Sequence, residues 1–138
     1  MFDEIDLKII SILRSNGRAS IKELSEQCGV SAGTARNRLL GLKKQGIIVD
    51  YKARVRPSAL NYEDVLVGFD IAPESFVQAL EEIRLKGFVK ELYRTAGDHV
   101  AIALMEISKG SAAEMIKELE SIEGVKKVYP AFVQDIVK

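Results

Sequence analysis

The chain has no tryptophan, one cysteine, one histidine and three prolines in 138 residues, and each scarcity removes a class of protein. A lone Cys28 closes no internal disulfide, so stability must come from burial of apolar surface. A free thiol also suits a reducing compartment, which makes the cytoplasm the expected location. His99 has no cysteine or carboxylate cluster at metal-ligand spacing around it, so neither a metal nor another cofactor is expected. Asp98-His99 does not make two-thirds of a nucleophilic triad, because neighbours on a strand point to opposite faces and no serine elbow accompanies them. Gly41 and Gly46 have the spacing of a phosphate loop but lack its Lys-Ser/Thr ending, so enzymatic activity is not expected. The longest unbroken apolar run, Val100 to Met105, is far too short to cross a bilayer, and no membrane partner is expected.

Net charge is absent too, with 20 Lys and Arg balancing 20 Asp and Glu. The balance is not local. Residues 1–56 hold 11 Lys and Arg against 6 Asp and Glu, whereas residues 57–138 hold 9 against 14. One half suits a polyanion and the other does not. Apolar residues make up 47% and charged residues 29%, the composition of a soluble globular protein, and two halves of this size would each be marginal alone. Oligomerisation is therefore expected.

The first half reads as three helices. Asp3 caps a helix over about 4–15, whose Ile5, Ile9, Ile12 and Leu13 recur at helical spacing, and Asn16-Gly17 suits a left-handed stop. Ser20-Ile21-Lys22-Glu23 is a capping box for a short second helix, which buries Ile21, Leu24 and Ala19 and stops at Cys28-Gly29. Val30 fills the corner. Ser31 caps a third helix that buries Ala35, Leu39 and Leu42 and ends at Gly46. Residues 47–55 are β-branched and apolar with Lys52 and Arg54 interspersed, which predicts a wing or connecting strand; residues 57–62 read as a linker.

From residue 63 the period changes to two. Val65, Val67, Phe69 and Ile71 alternate with Leu66, Gly68 and Asp70, the pattern of a strand. Pro73 opens a helix carrying Phe76, Ala79, Leu80 and Ile83 on one side. Strands follow at about 88–96 and 99–107, joined through Gly97-Asp98 as a two-residue hairpin turn. Ser111-x-x-Glu114 caps a further helix with Met115, Leu119 and Ile122, and a last strand runs from Val125 to about Val137. The order βαββαβ over residues 63–138 is the ferredoxin-like sandwich, with both helices on one face of an antiparallel sheet. Leu66, Phe88, Leu92, Ala101, Ala103, Met105 and Ile107 are assigned to the other face, too apolar for solvent, so either a second copy or the N-terminal domain must cover it.

Residues 1–56 thus form a winged helix-turn-helix, and the overall class is α+β. Stepping round the third helix turns Gly33, Asn37, Leu40 and Lys44 outward, flanked by Arg36 and Lys43 on one side and Thr34 and Gly41 on the other. Arginine can take guanine bidentately and asparagine can take adenine, so Arg36 and Asn37 are the candidate base readers on double-stranded DNA. Ser31, Ala32 and Thr34 lie nearer the helix N-terminus, where backbone N–H groups hold phosphate or small side chains meet a thymine methyl. Arg38 sits at the edge of the buried arc and suits an intramolecular pair or a phosphate. Arg18, Lys43, Lys44, Lys52, Arg54 and Arg56 are candidate backbone anchors. An alternative from another class is a ligand-sensing oligomer whose N-terminal module grips a protein or RNA.

The chain resembles the Lrp/AsnC, or feast/famine, family of transcription regulators. The likeness rests on Asp3-Glu4-Ile5-Asp6-Leu7-Lys8-Ile9-Ile10, Asn16-Gly17-Arg18, Glu23-Leu24-Ser25 through Gly29-Val30-Ser31, Arg38-Leu39 with Leu42 and Gly46-Ile47-Ile48, and Pro57 with Leu60. It continues in Tyr93-Arg94-Thr95-Ala96-Gly97-Asp98 and Glu123-Gly124-Val125. The resemblance implies homodimers paired through the C-terminal sheets, assembly into tetramers or octamers, pseudo-palindromic DNA sites and response to an amino acid or related metabolite. It also implies an effector between subunits near Gly97, Asp98 and His99. There, glycine would let a carboxylate approach the backbone and Asp98 would face an ammonium group. Ala96 and His99-Val100 depart from the family pattern.

Overall fold

The structure, a computed structural model, describes residues 2–138. The chain divides into two compact units, the first ending at Arg54 and the second running Val55–Lys138.

The first unit holds α1 (Glu4–Ser15), α2 (Ile21–Cys28) and α3 (Ala32–Lys44). Reciprocal capping boxes fix two of the three starts. Asp6 N–H donates to Asp3 Oδ1 at 3.0 Å while Asp3 N–H donates to Asp6 Oδ2 at 3.2 Å. Glu23 N–H likewise donates to Ser20 Oγ at 3.1 Å, and Ser20 N–H to Glu23 Oε2 at 3.3 Å. Each pair occupies two amide donors that the first helical turn leaves without partners. Gly29 ends α2 in the left-handed region at φ +67°, which lets the chain reverse direct into Ser31, the cap of α3. Ile9, Leu24, Ala35 and Leu42 are fully or almost fully buried in the centre, ringed by Ile5, Ile12, Leu13, Ala19, Ile21, Val30 and Leu39, as the helical spacing predicts.

Two local expectations fail here. Asn16 is extended at φ −145° rather than left-handed, because its Oδ1 accepts from Arg18 N–H at 3.1 Å and its carbonyl accepts from Ala19 N–H at 3.1 Å. A side-chain turn thus replaces the glycine stop. Residues 47–55 form no strand, since β-branched residues favour extended backbone but a strand also needs a hydrogen-bonded neighbour, and none pairs with this segment among the described residues. It is held instead by Lys43, whose Nζ donates to Val49 O at 2.6 Å and lies 5.5 Å from the Tyr51 ring.

The second unit is a four-stranded antiparallel sheet ordered β2-β3-β1-β4. Its elements are β1 (Tyr62–Ile71), α4 (Phe76–Leu85), β2 (Val89–Arg94), β3 (Ala101–Ser108), α5 (Ala112–Glu120) and β4 (Val125–Phe132). Both helices contribute to one core, where Ala79, Ile83, Leu119 and Ile122 meet the β1 row of Val65, Val67, Phe69 and Ile71. The stretch read as a linker belongs to this unit: Pro57–Leu60 is a 3-10 turn with Pro57 buried, and Asn61 turns left-handed at φ +60° into β1.

The register corrects the face assigned to the middle of the sheet. Val65 pairs with Met105, Val67 with Ala103 and Phe69 with Ala101, so Ala101, Ala103, Met105 and Ile107 look toward the helices. Leu92, opposite Ala103, is on that side as well, and Phe88 packs against the same core. The unbroken run from Val100 to Met105 has no period of two, so nothing in it sets the phase. The outer face instead carries Asp64, Leu66, Gly68 and Asp70 on β1, and Ile102, Leu104 and Glu106 on β3. Glu91 and Tyr93 on β2 and Lys127, Tyr129 and Ala131 on β4 complete it.

The β2–β3 connection is longer than a two-residue turn. It spans residues 95–100, because Thr95 N–H donates to Val100 O at 3.1 Å while Val100 N–H is drawn across to Phe69 O at 3.2 Å. Gly97 stands at φ +119°, outside the geometry of a tight hairpin turn. Ser111 does not cap α5 with its side chain; its hydroxyl donates back to Ser108 O at 2.6 Å. β4 stops at Phe132, since β1 begins at Tyr62 and leaves only Asp64 O to accept from Val133 N–H.

Candidate nucleic-acid interface

α3 is held at both ends, and what remains unheld is its outer face. At its start Ser31 Oγ accepts from Thr34 N–H at 3.1 Å and donates to Thr34 Oγ1 at 2.9 Å, so these two hydroxyls are engaged in the cap. Ser31, Ala32 and Gly33 are exposed beside them. Midway, the Arg38 guanidinium pairs with Asp3 and reaches Asp6 Oδ2 at 3.3 Å, tying α3 to the capping box of α1. At the far end Lys43 is spent on the 47–51 segment.

Asp3 is held below its ordinary value of 3.8, first by the Asp6 N–H and then by Arg38; Arg38 is pushed up by Asp3 and then by Asp6. A depressed carboxylate contributes stability that is present above its ordinary value and lost as pH falls through the lowered one. Asp3→Asn keeps an oxygen for the cap but drops the charge. Thermal melts followed by circular dichroism should give the variant a lower midpoint at pH 7 and a shallower loss than wild type between pH 4 and pH 2. Equal acid slopes would remove the ion pair from the account.

Arg36 and Asn37 are both exposed, one turn into α3, and neither makes a hydrogen bond or ion pair among the described residues. Lys44 is exposed on the same face, as is Leu40 at 60%. Nothing in the first unit explains an apolar side chain as open as Leu40. Arg18 is exposed in the α1–α2 turn, and Arg54 is exposed at the end of the extended segment. The structure therefore separates the α3 cations in a way that charge counting could not: Arg36 and Lys44 project outward, whereas Arg38 and Lys43 have work inside the unit.

The second unit places Gly97 and Asp98 at an exposed loop tip and turns His99 inward. The His99 ring lies over Gly68, where a Cβ would stand 2.6 Å from its Cδ2, and its centroid is 4.6 Å from that of Tyr129. Tyr129 donates to Asp70 Oδ2 at 2.9 Å, and His99 Nδ1 is 3.9 Å from Asp70 Oδ1. Thr95 Oγ1 completes the loop by donating to His99 O at 2.6 Å. Gly68, Asp70 and Tyr129 were missed as neighbours of the loop; the available signal was an isolated glycine inside a strand pattern, which marks close approach by another group.

A family model described as winged helix-turn-helix DNA-binding matches residues 2–49. The HTH-type transcriptional regulator LrpA of Pyrococcus horikoshii is 34% identical over 141 aligned positions, covering 100% of both chains. The solved structure of Escherichia coli AsnC shares the fold at TM-score 0.74 and 24% identity, covering 100% of this chain and 95% of that one. A transcriptional regulator of Neisseria meningitidis in complex with L-Met aligns at TM-score 0.74 and 25% identity, covering 100% and 93%. The chain belongs to the Lrp/AsnC family of transcriptional regulators and is a DNA-binding regulator built from a winged helix-turn-helix and a ferredoxin-like domain.

Proposed function

We propose that α3 enters the major groove with Arg36 and Asn37 toward the base edges, while Ser31, Ala32 and Thr34 bring the helix N-terminus against the sugar-phosphate backbone. Arg18, Lys44 and Arg54 anchor the flanking phosphates. Arg38 sets the tilt of the reading helix through Asp3 and Asp6, and Lys43 keeps the wing segment beside it. Two copies pair through the outer sheet face and present two such helices to a pseudo-palindromic site in the cytoplasm. The loop at Gly97, Asp98 and His99 receives an amino acid or a related metabolite, a reading supported by the L-Met complex of the Neisseria meningitidis regulator.

The observation that carries this reading is the outward, unengaged pair Arg36 and Asn37 on a helix fixed at three points. A groove-reading side chain must be free in the unbound protein, and the rod bearing it must be rigid. Arg36→Ala should weaken binding to the cognate site by ~1–3 kcal/mol and relax preference at one base, whereas Lys44→Ala should weaken cognate and random duplexes alike. Anisotropy titrations on both duplexes measure this, and equal losses for Arg36→Ala on the two would overturn the assignment.

A further inference from the structure

The outward row of α3 has an apolar side chain at its centre. At ~100° per residue, Gly33, Asn37, Leu40 and Lys44 fall within an arc of about 60°, and Leu40 lies between Arg36 on one side and Asn37 on the other. Leu40 is 60% exposed, and among the described residues it is the one large apolar side chain of α3 that is exposed; Leu39 and Leu42 pack into the core of the first unit. Its neighbours one turn back are Arg36 and Asn37, both exposed, and Lys44 follows one turn on. A helical side chain leans toward the N-terminus, so Leu40 leans over the turn that carries Arg36 and Asn37.

Folding does not call for a leucine at this point. Lysine, glutamine and glutamate form helices about as well, and Leu40 is not among the side chains that pack against the core. A phosphate does not call for it either, since phosphates are met by cations and hydrogen-bond donors. A base edge differs. In the major groove adenine, guanine and cytosine present donors and acceptors, and only thymine adds a C5 methyl. Leucine over any of the first three takes polar groups out of water and returns no hydrogen bond, whereas over thymine it buries one apolar group against another.

We infer that Leu40 is a specificity-determining residue, which packs against the C5 methyl of a thymine in the major groove and selects against the other bases at that position. The inference rests on α3 reading duplex DNA, as proposed above. Leu40 follows Asn37 by ~4.5 Å and Arg36 by ~6 Å along the helix axis, and base pairs step by ~3.4 Å. The thymine therefore lies about one or two base pairs from the base that Arg36 reads. A protein surface is the poorer occupant of this face, because Arg36 and Lys44 flank Leu40 and complement a polyanion.

Sites selected by the full-length chain from a random-sequence duplex pool supply the probe, and anisotropy titrations follow it with each thymine replaced singly by deoxyuridine, which removes only the C5 methyl. The wild-type chain should lose about fourfold in affinity at one thymine of a half-site, the worth of one methyl taken out of water. Leu40→Ala should be indifferent to the methyl there, and sites selected with it should no longer fix thymine at that position. Leu40→Met, which keeps an apolar side chain of similar volume, should keep most of the fourfold step. Alanine is the best helix former, and circular dichroism melts confirm that both variants fold. A Leu40→Ala chain with the wild-type deoxyuridine profile, or a wild-type profile with no sensitive thymine, would overturn the contact while Arg36→Ala still relaxes its own base. Arg36→Ala losing equally on selected and random duplexes would overturn the reading of α3 and the contact with it.

Discussion

Between 50 and 200 mM salt, affinity for the cognate duplex is expected to fall about a thousandfold. Each phosphate neutralised by a lysine or arginine releases condensed counterions, and the logarithm of affinity falls by ~0.9 per contact for each tenfold rise in salt. If Arg18, Lys44 and Arg54 of each of two copies anchor phosphates as proposed, they give about six contacts, hence a slope near −5 and a loss of ~10³ over a fourfold rise in salt. Lys43 and Arg38 have other roles in the proposed reading, Lys43 holding the wing segment through Val49 O and Arg38 holding α1 through Asp3 and Asp6. Lys44→Ala should make the slope shallower by about 2, one contact from each copy. Fluorescence anisotropy at four or five salt concentrations gives both numbers. A slope shallower than about −2 would mean that the exposed cations of the first unit are not the DNA-facing surface.

Arg36, Arg38, Lys43 and Lys44 have the same charge and lie within nine residues, yet the fold uses them differently. Helical stepping set Arg38 at the rim of the buried arc and so separated it from Arg36. Its partners Asp3 and Asp6 lie more than thirty residues away and become neighbours only when α1 packs on α3. The helix ends were legible because caps are local: Ser20 with Glu23, and Gly29 at φ +67°, work through atoms within a few residues. The 47–55 segment was not, because extended propensity is local and a strand partner is not.

The same division runs through the second unit. β1 was readable from the alternation of Val65, Val67, Phe69 and Ile71, since one face is buried and the other is not. β3 was misphased because alanines, isoleucine, leucine and methionine fill both faces of its first half, and only pairing to β1 decides which row is inside. The loop at Gly97 was found, but its true shape depends on Val100 N–H reaching Phe69 O on a strand three elements earlier. His99 could be named from sequence as a candidate. Its seat on Gly68 and against Tyr129 could not, because that seat is built by β1 and β4 together.

Phe69 is where these tertiary dependencies converge, and Phe69→Ala should destabilise the second unit by about 3–5 kcal/mol. The side chain is 0% exposed and sits on β1 between Ala101 of β3 and Val128 of β4. The cost of a large-to-small change depends on how far neighbours can collapse into the hole, and Ala101 has no side chain long enough to follow. The upper half of the range is therefore expected, with Phe69→Leu losing clearly less because it leaves a smaller void. Urea denaturation followed by tyrosine fluorescence can report it, since the chain has no tryptophan and Tyr62, Tyr93 and Tyr129 all lie in the second unit against Tyr51 alone in the first. The consequence reaches the loop, because Phe69 O accepts from Val100 N–H and anchors the turn that carries Gly97 and Asp98. Loss of the ring should thus raise hydrogen exchange at Thr95 and Val100 before the unit unfolds globally. An alanine variant within about 1 kcal/mol of wild type would mean that the β1 row is not the centre of this core.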